Sequence, residues 1–303
     1  MKSMRSFGFL NYPQALEFEG GRIEPVNEFE EGLAYIKAYG NRDGYIYPPE
    51  VTTVQYNPIT NEKLEEIPNT KRPAPVFKLP PSHNLFLNNP ISTENAALII
   101  HLLGFFFGIR LLPSELRFDG KVPTKPTNNF SYRQDVPSNF ISYVYSAWKE
   151  WDEDLRKRYI NILYMHGKVK SCEFDWDQFI YEYMVFDAIY KFYISNGGGS
   201  ATGHKDRFYK LCDAFSIPEH DEIDRIYKLR NELFHEALWL GDTPGMGANR
   251  MLEVLWLRKL NARLIVAISG YENEFTKSRW NTMGWELFDR YQSPPVAAVH
   301  GVL

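Results

Sequence analysis

The sequence predicts a mainly α-helical protein in which an N-terminal α+β domain precedes a C-terminal helical bundle. Before residue 90, short runs of aromatic and β-branched residues alternate with turn signals, as in a sheet. Residues 124–138 are rich in Pro, Thr, Asn and Ser, which is typical of a linker, and apolar residues beyond them recur at helical spacing. We therefore expect one domain over residues 1–138 and a second over residues 139–303.

Turn signals divide the first part of the chain. They are Gly20-Gly21, the Asp43-Gly44 pair, which we interpret as a hairpin turn, and Asn57-Pro58. Between the first two, residues 28–39 predict a short helix. The many prolines that follow indicate an irregular connector up to residue 90.

An apolar stretch from Ala96 to Leu112 predicts a buried helix that is capped by Ser92 or Thr93. Its length is at the lower limit for a membrane span, and His101 and Arg110 interrupt it, so we favour a buried helix. His101 fits a hydrogen-bonded core histidine better than a ligand.

The second domain is predicted to consist of successive helices. They cover residues 140–170 with a break near Asp152, residues 175–196, 205–215, 218–240 and 250–271, and one more docked helix in the tail around Trp280 to Phe288. The glycine-rich segment before Lys205 superficially resembles a phosphate-binding loop, but His204 separates Gly203 from Lys205 and the preceding element is helical. We interpret it as a flexible connector, from which His204, Lys205 and Arg207 could contact an RNA backbone.

Composition limits the classes of function. The 303 residues include 44% apolar and 24% charged residues, as in ordinary globular domains, and the net charge of −4 is unlike that of a basic nucleic-acid binder. Any RNA contact must therefore be local. Cys172 and Cys212 are too few for a disulfide framework or a cysteine-rich zinc site, and no apolar run follows Lys2 and Arg5. We expect a cytoplasmic protein without a signal peptide, a membrane segment, a metal or a cofactor.

The candidate functional residues lie in the helix predicted from Pro218 to Leu240. Ser216 and Glu219 have the spacing of a capping box, and Gly241 is suited to end the helix. Within it, Arg230 is followed five residues later by His235. A guanidinium can bind a phosphate through two hydrogen bonds, and an imidazole can transfer protons near neutral pH. This pair suits metal-free RNA cleavage.

The positions of Arg230 and His235 on the helix are compatible with a catalytic pair or with two structural residues. Arg230 falls on the apolar stripe of Ile223, Ile226, Leu229, Leu233, Phe234, Ala237 and Leu240, so it requires a carboxylate from a neighbouring helix. On an ideal helix His235 would lie about 140° away from Arg230. Either the helix is distorted, or the two side chains flank a cleft that a second subunit could wall. Alternatively, Arg230 is a structural ion-pair partner and His235 a surface histidine.

The stretch from Tyr227 to Ala237 resembles the R-N-x-x-x-H motif of HEPN domains, which are helical domains of RNA-cleaving toxins and phage-defence proteins. Residues 179–193 resemble the earlier helix of the family, and residues 250–271 resemble its closing helix. The resemblance covers residues 145–272 and is greatest to HEPN domains that follow a separate N-terminal domain, as in ApeA-like phage-defence proteins. Ala237 stands where some HEPN toxins carry a tyrosine that partner enzymes modify, so that mode of neutralisation is not expected.

The resemblance implies a metal-independent endoribonuclease of a bacterial defence or toxin system. It implies that Arg230, Asn231 and His235 are active-site residues and that Asp187 is the acidic partner of Arg230. Glu182, which lies just off the other edge of the same apolar helix face, is the alternative partner. Asn231 would orient His235 or bind phosphate. It also implies a homodimer with two motifs facing one cleft, RNA as the substrate, and an N-terminal domain that senses a trigger or restrains the nuclease.

A different class of function is compatible with the same sequence. Helical domains of this kind can bind RNA, nucleotides or proteins without cleaving anything, and the acidic net charge favours such a non-catalytic binding module. That interpretation predicts ligand binding without turnover and an Arg230 that is buried and fully paired.

Overall fold

A computed structural model describes residues 4–48, 51–69, 76–90, 92–239 and 251–288. The helices are α1 (Phe29–Tyr39), α2 (Thr93–Phe107), α3 (Val136–Glu150), α4 (Glu153–Lys168), α5 (Asp175–Ser195), α6 (His204–Ala214), α7 (Glu222–Asn231), α8 (Met251–Ile268) and α9 (Glu274–Lys277). The strands are β1 (Met4–Gly8), β2 (Leu16–Phe18), β3 (Gly21–Pro25), β4 (Tyr45–Ile46), β5 (Val51–Tyr56), β6 (Lys63–Asn69), β7 (Val76–Phe77), β8 (His83–Leu87), β9 (Leu112–Pro113), β10 (Phe118–Asp119), β11 (Val122–Pro123), β12 (Phe130–Ser131) and β13 (Glu286–Leu287). The fold is mixed, and helices contain more of the described residues than strands do.

The largest sheet has the strand order β2-β3-β8-β1-β9, and its neighbouring strands are antiparallel. The prediction of an irregular connector up to residue 90 is wrong, because β8 lies in that segment and is the central strand. His83, Leu85 and Leu87 of β8 are buried, whereas the residues between them are partly exposed. This alternation is the pattern of a strand with two different faces, and the surrounding prolines hid it.

The predicted turns connect elements as expected. Gly20 lies between β2 and β3, which form a hairpin, and Asn57 follows β5, which pairs with β6. The segment around Asp43-Gly44 is also a turn, and Gly44 has a φ of +83°. The turn closes a short antiparallel hairpin, with a bridge between Gly40 and Ile46 and a hydrogen bond from the Asn41 amide to the Tyr45 carbonyl. Strand β4, which follows the turn, also pairs with β11.

Helix α2 is buried as predicted. Its N-cap is Ser92, whose side chain accepts a hydrogen bond from the Asn95 amide, and Gly108 ends it in the left-handed conformation. Burial lowers the pKa of His101 to about 4, and His101 also makes a backbone hydrogen bond to Leu111. The described part of the chain contains no helix with the length and apolar character that a membrane crossing would require.

The segment predicted as a linker is fixed to the rest of the protein. The Thr127 hydroxyl donates to the Gly108 carbonyl, and the Asn128 amide donates to the Phe105 carbonyl at 2.6 Å. β12 pairs in parallel with β13 from the far end of the chain. One hydrophobic core contains buried residues from both sides of residue 138, including Phe106, Phe140 and Phe288. Residues 124–138 therefore contact both predicted domains, through side-chain hydrogen bonds to the end of α2 and through the pairing of β12 with β13.

Most helices after residue 136 agree with the prediction. The long pattern breaks at Asp152, whose carboxylate accepts the Leu155 amide and caps α4. The predicted tail helix is wrong, because α9 covers only Glu274–Lys277 and β13 follows. Trp280 is buried, but Trp285 is 77% exposed. The tail is therefore anchored by single aromatic residues and a strand rather than by one apolar face of a helix.

Candidate functional site

Helix α7 carries the Arg-Asn-x-x-x-His segment and is shorter than predicted. It begins after Asp221, and Ser216 has a φ of +53°, so the predicted capping box does not form. A π-helical turn, Glu232–Glu236, follows α7, and Ala237 ends it with a φ of +55°. Gly241, the predicted end of the helix, lies outside the described residues.

The π-helical turn brings Arg230 and His235 together. The Arg230 Nη1 and His235 Nε2 atoms are 2.8 Å apart, although an ideal α-helix would separate the two side chains by about 140°. A π-helical turn contains more residues per turn than an α-helix, so two residues five positions apart come onto one side. The sequence left open whether the helix is distorted or the two side chains flank a cleft, and the structure shows a distorted helix.

The contact with Arg230 sets the direction of one hydrogen bond at His235. A guanidinium has only hydrogen-bond donors, so Arg230 donates and His235 Nε2 accepts. A neutral imidazole with an unprotonated nitrogen is the form that a general base needs.

Aromatic rings flank the Arg230 guanidinium. Its carbon Cζ lies 5.6 Å from the centroid of the Tyr183 ring and 5.5 Å from that of Phe234. In the later part of the predicted apolar stripe, Leu233 packs against the core, but Phe234 is 46% exposed and Ala237 is exposed. These cation–π contacts hold the guanidinium in place while leaving donors free. Asn231 Oδ1 accepts from Arg230 Nη1 at 3.0 Å, so Asn231 contacts the arginine and not His235.

The predicted carboxylate partners of Arg230 are wrong. Asp187 accepts a hydrogen bond from Arg207 Nη1 at 2.7 Å, and its Oδ1 lies 3.9 Å from His204 Nδ1. Glu182 is fully buried and lies 3.1 Å from His166, on another face of α5. The reason is that α6 packs beside α5 and supplies its own arginine to Asp187.

His204 is a candidate site residue that the helical pattern did not identify. It is the first residue of α6, and its Nε2 atom lies 3.4 Å from Arg230 Nη2. Its Nδ1 atom is 3.5 Å from the Tyr183 hydroxyl. The sequence signal for His204 is the His-Lys-Asp-Arg cluster at the end of the glycine-rich segment. This cluster predicts contacts with an RNA backbone but does not by itself indicate a catalytic role.

We define the Arg230 site as Arg230, Asn231, His235, His204, Arg207 and Asp187. Two arginines and one carboxylate give it a positive charge. The His204 side chain is 35% exposed and that of Arg207 is 28% exposed, so an anion can reach the site. The buried Arg230 Nε atom has no hydrogen-bond partner among the described residues. The guanidinium is thus neither neutralised by a carboxylate nor fully hydrogen-bonded.

Burial lowers the pKa of His204, and the charges of Arg207 and Arg230 lower it further, while Asp187 opposes them. We therefore expect the pKa of His204 to fall further in Asp187→Asn, because an attractive charge is lost, and to rise in Arg207→Gln, because a repulsive charge is lost. An NMR titration of the His204 ring measures both shifts. A higher pKa in Asp187→Asn would contradict this account of the site.

Comparisons with protein-family models, with curated proteins and with solved structures each found no significant match to this chain.

Proposed function

We propose that the Arg230 site is the active site of a metal-independent endoribonuclease. The observation that carries the proposal is the 2.8 Å contact between Arg230 Nη1 and the Nε2 atom of the exposed His235. A phosphate-binding group and a proton acceptor are thereby placed within reach of the same phosphodiester. A purely structural arginine would instead be paired with a carboxylate.

In the proposed reaction, the scissile phosphate binds to Arg230, which then gives up its contact with His235. The freed Nε2 atom takes the proton of the ribose 2′-hydroxyl. The 2′-oxygen attacks phosphorus, the bond to the 5′-oxygen breaks, and that oxygen leaves with the proton that His235 has taken up. The products are a 2′,3′-cyclic phosphate and a 5′-hydroxyl. Arg230 stabilises the additional negative charge on the phosphoryl oxygens.

We assign to His204, which contacts the opposite side of the Arg230 guanidinium through Nε2, the role of positioning Arg230. His235 and His204 contact different nitrogens of that guanidinium, Nη1 and Nη2. A phosphate that binds between these nitrogens would therefore have one imidazole near each end. Arg207 adds positive charge beside this phosphate, and Asp187 positions both Arg207 and His204.

The R-N-x-x-x-H resemblance supports assigning the helical part of the chain to the HEPN type and the protein to bacterial defence or a toxin system. It also supports a homodimer. The exposure of His235 and Phe234 is compatible with a cleft that a second copy completes. The N-terminal part would then sense a trigger or restrain the nuclease. A conformational change in it would reach the helices through the hydrophobic core that both parts share.

The test is cleavage of single-stranded RNA in excess EDTA with analysis of the product ends. We expect 2′,3′-cyclic phosphate and 5′-hydroxyl ends, because the attacking oxygen belongs to the RNA itself. Saturable RNA binding without products would favour the non-catalytic binding module. Products with 3′-hydroxyl and 5′-phosphate ends would contradict the proposed chemistry, because they require attack by water.

A further inference from the structure

A second polar pocket lies away from the Arg230 site, between α8, the segment 127–130 and the loop before β13. Its volume is about 100 Å³, and its lining includes His166, Lys170, Arg258, Lys259 and Glu286. A single water needs about 10–15 Å³ on this measure, so several waters or one phosphate-sized anion fit. None of the residues that define the Arg230 site lines this pocket.

More positively charged than negatively charged side chains line this pocket. Glu286 accepts from Lys259 Nζ at 2.6 Å and from the buried Arg263 at 3.3 Å, so two cations already share its charge. Within the described part of the chain, Lys170 and Arg258 form no ion pair and no side-chain hydrogen bond. Two positive groups therefore line the cavity without a neutralising partner in contact with either.

The cost of this arrangement is concentrated on Lys170. Burial lowers its pKa well below the ordinary value, the nearby charge of Arg258 lowers it further, and the charge of Glu182 opposes this. Glu182 is fully buried, and its Oε2 atom is already bound by His166 and Asn261. The Lys170 and Arg258 side chains are both partly buried, and two like charges beside one cavity suit a ligand of opposite charge.

We propose that this cavity, the Lys170 pocket, binds a phosphate-class oxyanion. The Arg258 guanidinium can bind two oxygens of a tetrahedral anion, and the Lys170 ammonium adds a point charge. The anion would supply the negative charge that the pocket lacks. The same chemistry is offered by free inorganic phosphate and by the phosphoryl group of a larger molecule whose remainder stays outside the cavity.

Isothermal titration calorimetry of the full chain tests the proposal with inorganic phosphate and with adenosine 5′-monophosphate. We expect saturable binding of at least one probe and at least tenfold weaker binding in both Arg258→Gln and Lys170→Met. Tighter binding of the monophosphate would identify a phosphoryl group of a larger molecule, and equal or tighter binding of inorganic phosphate would identify the free ion. Lys157→Met is the control, because Lys157 is an exposed lysine that pairs with Glu153 on α4.

Thermal unfolding without ligand shows whether each variant is folded. Lys170→Met removes a partly buried positive charge that Arg258 repels, so we expect it to be at least as stable as the wild type. Absence of saturable binding in the wild type, or equal affinity in the variants, would overturn the proposal.

Discussion

Replacing His235 by alanine is expected to lower the rate of RNA cleavage about 10²- to 10⁴-fold, the usual contribution of a positioned acid–base group. The imidazole is exposed, and its contact is with Arg230 Nη1 rather than with the core. The variant should therefore fold normally and still bind RNA through Arg230 and Arg207. The loss should appear in the cleavage rate constant measured under single-turnover conditions, with little change in RNA affinity.

His220→Ala is the matched control for His235→Ala. His220 precedes the same helix, but its Nε2 atom contacts Asn281 and it is not part of the Arg230 site. We expect its cleavage rate to stay within a few-fold of the wild type at temperatures where it is folded. If His235→Ala cleaves as fast as this control, His235 is not the proton acceptor.

Replacing Arg230 by lysine is expected to lower cleavage about 10²- to 10³-fold, the range measured when one preorganised donor to transition-state charge is removed. Lysine keeps the positive charge, but it cannot reach His235, His204 and Asn231 through one planar group. The variant should therefore lose rate more than it loses RNA affinity. Cleavage and binding are measured separately, by single-turnover kinetics and by fluorescence anisotropy.

Arg225→Lys provides the comparison, because Arg225 lies one and a half turns earlier on α7 and pairs only with Glu222 among the described side chains. It should cleave at the wild-type rate. An Arg230→Lys variant with full activity would show that a positive charge at this position is sufficient and that the planar guanidinium group has no catalytic role.

The helix boundaries before and after the site show what periodicity can predict. The buried residues Ile223, Ile226 and Leu229 follow the predicted stripe, because their spacing is that of a regular α-helix. The prediction fails at Glu232, where the π-helical turn begins. No composition signal marks such a turn, because it depends on how the following residues pack. The contact between Arg230 and His235 depends on this departure from regular geometry.

The carboxylate partner illustrates a second limit. Asp187 was placed correctly near one edge of the apolar face of α5, but the sequence does not show which cation it meets. Helix α6 stacks Phe208 on Phe186 with ring centroids 3.8 Å apart, and this brings Arg207 and His204 to Asp187. The spacing of apolar residues within one helix does not show which residues of a neighbouring helix it contacts. The contacts of Asp187 with Arg207 and His204 were therefore not predicted.

The proposed site treats Arg230 and His235 as one unit that acts on a single phosphodiester. A double-mutant cycle of cleavage rates in EDTA, with wild type, Arg230→Lys, His235→Ala and the double variant, measures this coupling directly. We predict that the double variant is about as slow as the slower single variant, because residues that act together lose their effect together. Rate losses that multiply, or equal rates in all four proteins, would contradict the account.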